Sequence, residues 1–474
     1  MKRATVLLLM TLLAACATEP PAAPQAPQVQ HYTPAPTARF TAGAPIEGGQ
    51  AQQFVDGADI PAQWWALFQS PELDRLVRRA LDNSPGLAQA QARLRQAEEQ
   101  LSARSGATQY PKLDAKLSAY RADLSQQVPG LPLKTPLNLY LASVAVSYKL
   151  DLFGATRQEL RSLQAALAYQ GYELQAARLA LAGNVVTAAI RIAATREQIA
   201  HTEEIIAIKT RQLAIHERLE QIGSTARKDV LARRQDLAQA RAALPPLQAT
   251  LEQLGHRLAV LCGQTPDSMP APPLRLADLH LPQQLPLSLP SELARRRPDI
   301  RAAQALLDEA GAQLGVATAN LYPQITLSAN LGQLASSGQL FAGGAGFALL
   351  GASVAQPLFH GGELQARRRQ AQAAWEQAGA AWQEVVLQGL QNVADVLRAL
   401  QADADKLKER AEAAQQAQRQ LEIANARLAS GGISQLNLLD ARQQWHSALL
   451  EQSQALADRY ADSAALLQAL GGGW

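Results

Sequence analysis

Two spacings of apolar residues alternate along this chain. In "YLASVAVSYKL" (140–150), Tyr140, Ala142, Val144, Val146, Tyr148 and Leu150 occupy every second position, with Ser143, Ala145, Ser147 and Lys149 among the residues between them. A period of two is a strand with unlike faces. Elsewhere the spacing is seven. Leu160, Leu167, Leu174 and Leu181 form one row, and Tyr172, Leu179 and Val186 a second. Later, Val386, Val393, Leu400, Leu407, Ala414, Leu421 and Leu428 keep the same step without a break. A strict heptad imposes a left-handed supercoil. Two apolar rows on an alanine-rich helix suit contact on both sides, as in a wall of helices. No proline falls between Ala155 and Ile222, and a helix of that length would run about 100 Å.

The spacing changes twice at a Tyr-Pro pair, in "GATQYPKLDAKLSAY" (106–120) and in "ANLYPQITLSAN" (319–330). Proline ends helical pairing and is tolerated as the first residue of a strand. The pattern predicts strands at 112–122 and 139–152, then at 323–333 and 346–358. In the last of these Phe347, Leu349 and Leu350 break the alternation. A soluble sandwich strand would alternate as well as a membrane strand does. Tyrosines at both ends of an apolar band are what a membrane-spanning strand shows at its interfaces.

The chain is also written twice. "SPGLAQAQARLRQAEEQLSARSGATQYPKL" (84–113) parallels "RPDIRAAQALLDEAGAQLGVATANLYPQI" (297–325), and "RLEQIGSTARKDVLARRQ" (218–235) matches "RLASGGISQLNLLDARQQ" (427–444) without a gap. The offset is about two hundred residues, too long for a small solenoid repeat. Each copy reads as helix, strand, loop, strand, very long helix, turn and long helix. The copies are expected at 61–265 and 291–474, joined by a Pro- and Leu-rich linker at 266–290. In the ungapped match Gly223 meets Gly432, and both are expected to cap the preceding helix. Pro245-Pro246 is expected to break the returning helix.

Composition narrows the function. Lys and Arg total 44 against 41 Asp and Glu, and the two signs are interspersed; no nucleic-acid footprint is present. The seven histidines show no ligand spacing with Cys, Asp or Glu, so no metal or cofactor is expected, and His201, His216 and His446 read as helix-surface residues. No nucleophile elbow or catalytic carboxylate pair stands out, and Arg295–Arg297 read as a solvated run before Pro298. The start, MKRATVLLLMTLLAAC, has a positive n-region, a short apolar core and small residues directly before Cys16. It resembles a bacterial lipoprotein signal over residues 1–15, with Cys16 lipidated. Residues 16–60, rich in Pro, Ala, Gln and Gly at their start, read as a tether. Beyond the signal no run of about 18 uninterrupted apolar residues occurs, so no transmembrane helix is expected.

Four membrane-length strands cannot close a barrel, and open edges would leave backbone amides unpaired in lipid. About eight strands are the minimum, so spanning strands imply an oligomer. Here the chain resembles the TolC-like outer membrane factors, in the lipoprotein branch paired with resistance-nodulation-division pumps. The resemblance covers essentially the whole mature chain. It is carried by "WWALFQSPELDRLVRRAL" (64–81), "RRPDIRAAQ" (296–304), "NLYPQITLSANLG" (320–332), "AQPLFHGGEL" (355–364) and "NLLDARQQ" (437–444). It implies a mixed α/β membrane protein: a homotrimer whose twelve-stranded outer-membrane β-barrel continues as a twelve-helix periplasmic α-barrel. It implies a non-enzymatic exit duct, docked through a periplasmic adaptor (membrane fusion protein) on an inner-membrane pump and lipid-anchored in the outer membrane of a Gram-negative bacterium.

The resemblance also implies residues. The family closes its periplasmic aperture with a polar and acidic ring on the last long helix, and "NLLD" supplies Asn437 and Asp440 to it. Asn437 stands where the family often has an acid, which weakens the ring's charge. Lys228 and Leu231 take the equivalent places in the first copy. Arg227, Lys228 and Asp229 are candidates for polar links that hold the end closed. The adaptor is expected at the hairpin tips, around Gly223, Ser224, Gly431 and Gly432. Two other readings stay open at this point: the exit duct of a type I protein secretion system, and a structural periplasmic coiled-coil lipoprotein.

Overall fold

The computed structural model describes residues 29, 31–34, 38–122, 137–336 and 344–473. The signal segment and Cys16 lie outside the described residues. Two compact units share the chain. One gathers Arg93–Gly171 with Ala302–Trp382; the other gathers the described residues up to Ala92, Tyr172–Arg301 and Gln383–Trp474.

In chain order the elements are β1 (Gln53–Asp56), α1 (Pro71–Asn83), α2 (Pro85–Gln109), β2 (Lys112–Ala122), β3 (Leu137–Leu150), α3 (Ala155–Gln221), α4 (Arg227–Leu261), β4 (Gln284–Leu287), α5 (Pro290–Arg296), α6 (Pro298–Ala319), β5 (Gln324–Ala335), β6 (Ala345–Ala355), α7 (Glu363–Ala429) and α8 (Gln435–Ala469). Each Tyr-Pro pair sits between the end of a helix and the start of a strand: Tyr110-Pro111 between α2 and β2, Tyr322-Pro323 between α6 and β5. At the second junction the Tyr322 ring stacks on Phe153, centroids 5.0 Å apart and planes 10° from parallel.

The first unit holds an antiparallel sheet in the order β2-β3-β5-β6. Among the described residues, the two outer strands have one unpaired edge each. β3 runs from Leu137 to Leu150, two residues earlier than the alternation predicts, and β6 stops at Ala355, ahead of Pro357. Arg104 of α2 bridges Glu159 of α3 at 2.5 Å. Gly315 of α6 has no room for a side chain, since a Cβ there would lie 2.8 Å from Gln158.

In the second unit the heptad row of α7 is a buried seam: Val386, Val393, Leu400, Leu407 and Ala414 are all 4% exposed or less. A window of α3 reaches a mean hydropathy of 1.3, apolar enough by composition to cross a membrane, yet over half of it is buried. Its Val185, Val186, Ala189, Ile190, Ile192 and Ala193 form core, and Gly183 lets α3 approach α8 so closely that a Cβ would meet Gln468. The apolar run is explained by packing.

Three local expectations change. Helix α4 continues through Pro245-Pro246. The carbonyls of Arg241 and Ala242, which lose their amide partners, lie in an exposed stretch where solvent can serve them. The segment from Thr41 to Asp56, read from its composition as tether, is packed in the second unit, where β1 pairs in parallel with β4. The Arg295–Arg297 run before Pro298, read as solvated, is largely engaged. Arg297 grips Asp299 through Nε (3.0 Å) and Nη2 (2.7 Å) and donates to the Ala469 carbonyl, and Arg296 bridges Asp59 at 2.8 Å.

Candidate functional site

The register of the sheet defines two faces. On one, the rows Leu113–Val146–Ala329–Leu350 and Ala115–Val144–Leu331–Ala348 are wholly apolar. Tyr148 and Tyr140 stand on this face at opposite ends of the band, eight steps apart along β3, or about 27 Å. Leu350 is 86% exposed and Leu117 76%. On the other face run Lys112–Ser147–Ser328–Gly351 and Lys149–Thr326–Ser353. Apolar outside and polar inside is the pattern of a membrane barrel wall. It also accounts for the irregular end of the chain's last strand: Leu350 belongs to the apolar face, while Phe347 and Leu349 point the other way.

Both hairpin turns close with the same hydrogen bonds. Ser224 N–H donates to Leu219 and Gly223 N–H to Glu220; Gly432 N–H donates to Arg427 and Gly431 N–H to Leu428. The left-handed residues are Gly223 (φ +74) and Gly431 (φ +73). The ungapped match that paired Gly223 with Gly432 is therefore one residue out at this turn. Two adjacent glycines are equally permissive in sequence, and only the backbone decides which one turns. All four tip residues are exposed.

Asn437 is the third residue of α8 and closes a reciprocal cap with Ser434. Asp229 is the third residue of α4, and the Thr225 hydroxyl donates to it at 3.2 Å. By helix start, Asp229 rather than Lys228 is the counterpart of Asn437. Arg227 and Lys228 are exposed, and neither makes an ion pair among the described residues. Asp440 accepts a hydrogen bond from the buried Gln212 side chain of α3 at 2.7 Å. It thus ties the start of α8 to the end of α3.

Above that tie the structure brings together residues that the sequence does not connect. His446 of α8 is buried and meets His201 of α3, Nδ1 to Nδ1 at 3.5 Å. Neither is the surface histidine expected. Burial, and then the neighbouring imidazole, lowers the His201 pKa; burial lowers that of His446. Arg442 and Glu204 approach to 3.5 Å beside them. Between α7 and α8, Lys406 bridges Asp458 at 2.8 Å and Arg410 bridges Glu451. Asp462 beside Asp403 is pushed up to about 7, by burial first and then by its neighbour's charge. These pairs join residues far apart in the chain, so no local motif announces them. Among the described residues no group of three His, Cys, Asp or Glu is placed to hold a metal ion.

The most enclosed cation is Arg459 of α8, with no exposed surface. It donates to the carbonyls of Gly49 (3.2 Å) and Gln50 (2.7 Å), the Thr41 hydroxyl (3.0 Å) and the Gln52 side chain (3.3 Å). Gln52 in turn donates to Pro282 and Ser463. In "RRPDIRAAQ", Arg301 donates to the Tyr172 hydroxyl at 2.5 Å and lies 5.0 Å above its ring. That motif builds a helix start and its anchorage; it contributes no reactive group.

Comparison with known proteins accords with this arrangement. The family model described as outer membrane efflux protein matches residues 76–264 and 289–472, one segment for each repeat. The pyoverdine export outer membrane protein OpmQ of Pseudomonas putida is 30% identical over 438 residues, 91% of this chain and 92% of its own. The toluene efflux pump outer membrane protein TtgC, from another strain of Pseudomonas putida, is 29% identical over 438 residues, 90% of this chain and 89% of its own. Among solved structures, the outer-membrane channel OprN superposes with a TM-score of 0.80 at 28% identity, covering 95% of this chain and 99% of that one. The chain belongs to the outer membrane efflux protein family, and is a non-enzymatic, TolC-like outer-membrane channel that extends into the periplasm as one part of a tripartite efflux pump.

Proposed function

We propose that three copies of this chain form a passive exit duct for small organic molecules. A periplasmic adaptor delivers them from an inner-membrane resistance-nodulation-division pump. The observation that carries this reading is the four-stranded sheet with one apolar face and two free edges. Four strands leave unpaired amides at β2 and β6, and three copies joined edge to edge, β2 to β6, remove every edge. The names of the relatives, which refer to pyoverdine, toluene and antibiotics, support small organic cargo over secreted protein. A duct selects little, so the choice of cargo rests mainly with the pump.

The hairpin tips at Gly223, Ser224, Gly431 and Gly432 are the surface offered to the adaptor, and Asn437 and Asp440 line the closed periplasmic aperture. Arg227, Lys228 and Asp229 link neighbouring hairpins there, a role supported by the two exposed cations that lack ion-pair partners among the described residues. In this reading the bond from Gln212 to Asp440 is one of the latches that keep α8 against α3. Replacing Asp440 with Ala removes it, and single-channel conductance in planar bilayers is expected to rise. An unchanged conductance rules out the latch.

Cys16, outside the described residues, carries the lipid anchor, a role supported by the small residues before it. Wild-type cells fed labelled palmitate should yield labelled protein, and Cys16→Ser cells should not. Label retained in the variant removes the anchor from this position.

A further inference from the structure

The lumen face of the sheet is graded from one end to the other. Nearest the helices are the rows Lys149–Thr326–Ser353 and Lys112–Ser147–Ser328–Gly351; next come Asp114–Ala145–Asn330–Leu349 and Lys116–Ser143–Gly332–Phe347. Farthest out lie Ser118–Leu141–Leu334–Ala345 and Tyr120–Leu139. The lysines are exposed, and among the described residues none of the three makes an ion pair. β5 and β6 carry no charged residue at all. Three lysines therefore face one aspartate per chain. A wall with one dominant sign concentrates ions of the other sign and sets selectivity.

Level with Asp114 and Lys116 on β6, and farther out at Leu141 and Leu334, the same face turns apolar where a water-filled wall should stay polar. Leu349 is 66% exposed. The Phe347 ring sits over Gly332, which offers it space; a Cβ on Gly332 would lie 2.6 Å from the ring. Phe347 is thus seated against the wall, and neither side chain is buried in a core.

We propose that this face is a selectivity segment for amphiphilic organic anions. Lys112, Lys116 and Lys149 attract the charged group, and Leu141, Phe347 and Leu349 receive the apolar body on its way out. A neutral or cationic cargo would gain nothing from the lysines, and a small inorganic anion nothing from the apolar rows. The inference rests on the trimeric duct, in which each row is repeated threefold around one lumen.

The test uses the full chain in planar bilayers under a potassium chloride gradient, with 8-anilinonaphthalene-1-sulfonate as the amphiphilic probe. The wild-type channel is expected to reverse on the anion-preferring side. The combined variant Lys112→Gln, Lys116→Gln, Lys149→Gln should move the reversal potential toward zero. The probe should reduce the wild-type current, and Phe347→Ser with Leu349→Ser should raise the concentration needed about tenfold, as loss of apolar contact of this size predicts. A wild-type channel that conducts but prefers cations, or a block insensitive to both variants, overturns the selectivity segment and leaves the duct standing. A protein that conducts neither as the wild type nor as Asp440→Ala overturns both.

Discussion

Replacing Leu350 with Arg is expected to keep the protein out of the outer membrane, whereas the same change at Leu349 is expected to leave insertion intact. The two residues are neighbours in sequence and chemically alike, but the register sends them to opposite faces. Leu350 lies in the row Leu113–Val146–Ala329–Leu350, inside the apolar band and two residues from its Tyr148 end. An Arg on the lipid face costs about 2–4 kcal/mol at the bilayer midplane and about 0–1 kcal/mol near the interfaces, so roughly 1–3 kcal/mol at this depth. In a trimer the cost is incurred three times, roughly 3–9 kcal/mol, a large part of the stability of an ordinary domain. At Leu349 the guanidinium would enter the water-filled lumen with no such cost. Membrane fractionation with unheated gel electrophoresis reads both outcomes: Leu350→Arg should lose the heat-modifiable oligomer and Leu349→Arg should keep it. Equal behaviour would mean that the assignment of faces is wrong.

The membrane wall was legible because each of β2, β3 and β5 holds to a period of two over the part nearest the helices, and departs from it only toward the far end, at Arg121, Leu141 and Gln333. One slipped residue would exchange the faces, and the sequence tolerates no such slip. β6 resisted the same reading for a physical reason. Its inner face carries Phe347 and Leu349, so hydrophobicity no longer marks which side meets lipid; only the pairing Gly332–Phe347 and Asn330–Leu349 resolves it. The long helices were legible from their heptads, and the row from Val386 to Ala414 is buried as that spacing requires.

The residues that tie distant segments together were not legible. β1 and β4 have four residues each and meet across more than two hundred positions, too short for a periodicity to register. His201 and His446 are 245 residues apart, and neither has a ligand or partner at helical spacing that would mark it. The capping glycine was misassigned by one because Gly431 and Gly432 are adjacent and chemically identical. In each case the deciding contact is long-range, or is fixed by a backbone angle that two neighbouring residues can adopt equally well.

Arg459→Ala is expected to be the most damaging change outside the sheet. The guanidinium has no exposed surface, and burial pulls its pKa down to about 10, which leaves it charged at neutral pH. Its charge is accommodated by neutral acceptors, the carbonyls of Gly49 and Gln50 and the side chains of Thr41 and Gln52. Removing the donor leaves these buried oxygens without their partner and opens a cavity, at a cost of about 3–5 kcal/mol. The loss falls on the segment from Thr41 to Gln52, which leads directly into β1. If Cys16 is acylated, the chain between it and Tyr32, whose hydroxyl donates to the Ser288 carbonyl at 2.8 Å, reaches at most about 58 Å, and the Arg459 clasp secures the stretch that follows. Arg459→Ala should therefore lower the melting temperature and expose residues 41–56 to limited proteolysis, with the β-barrel still assembled. Arg459→Met separates the two contributions, because it fills most of the volume and restores none of the hydrogen bonds; it should recover part of the melting temperature while residues 41–56 stay cleavable. Full protection in the Met variant would show that packing and the β1–β4 ladder hold the segment, and that the four hydrogen bonds to Arg459 are incidental.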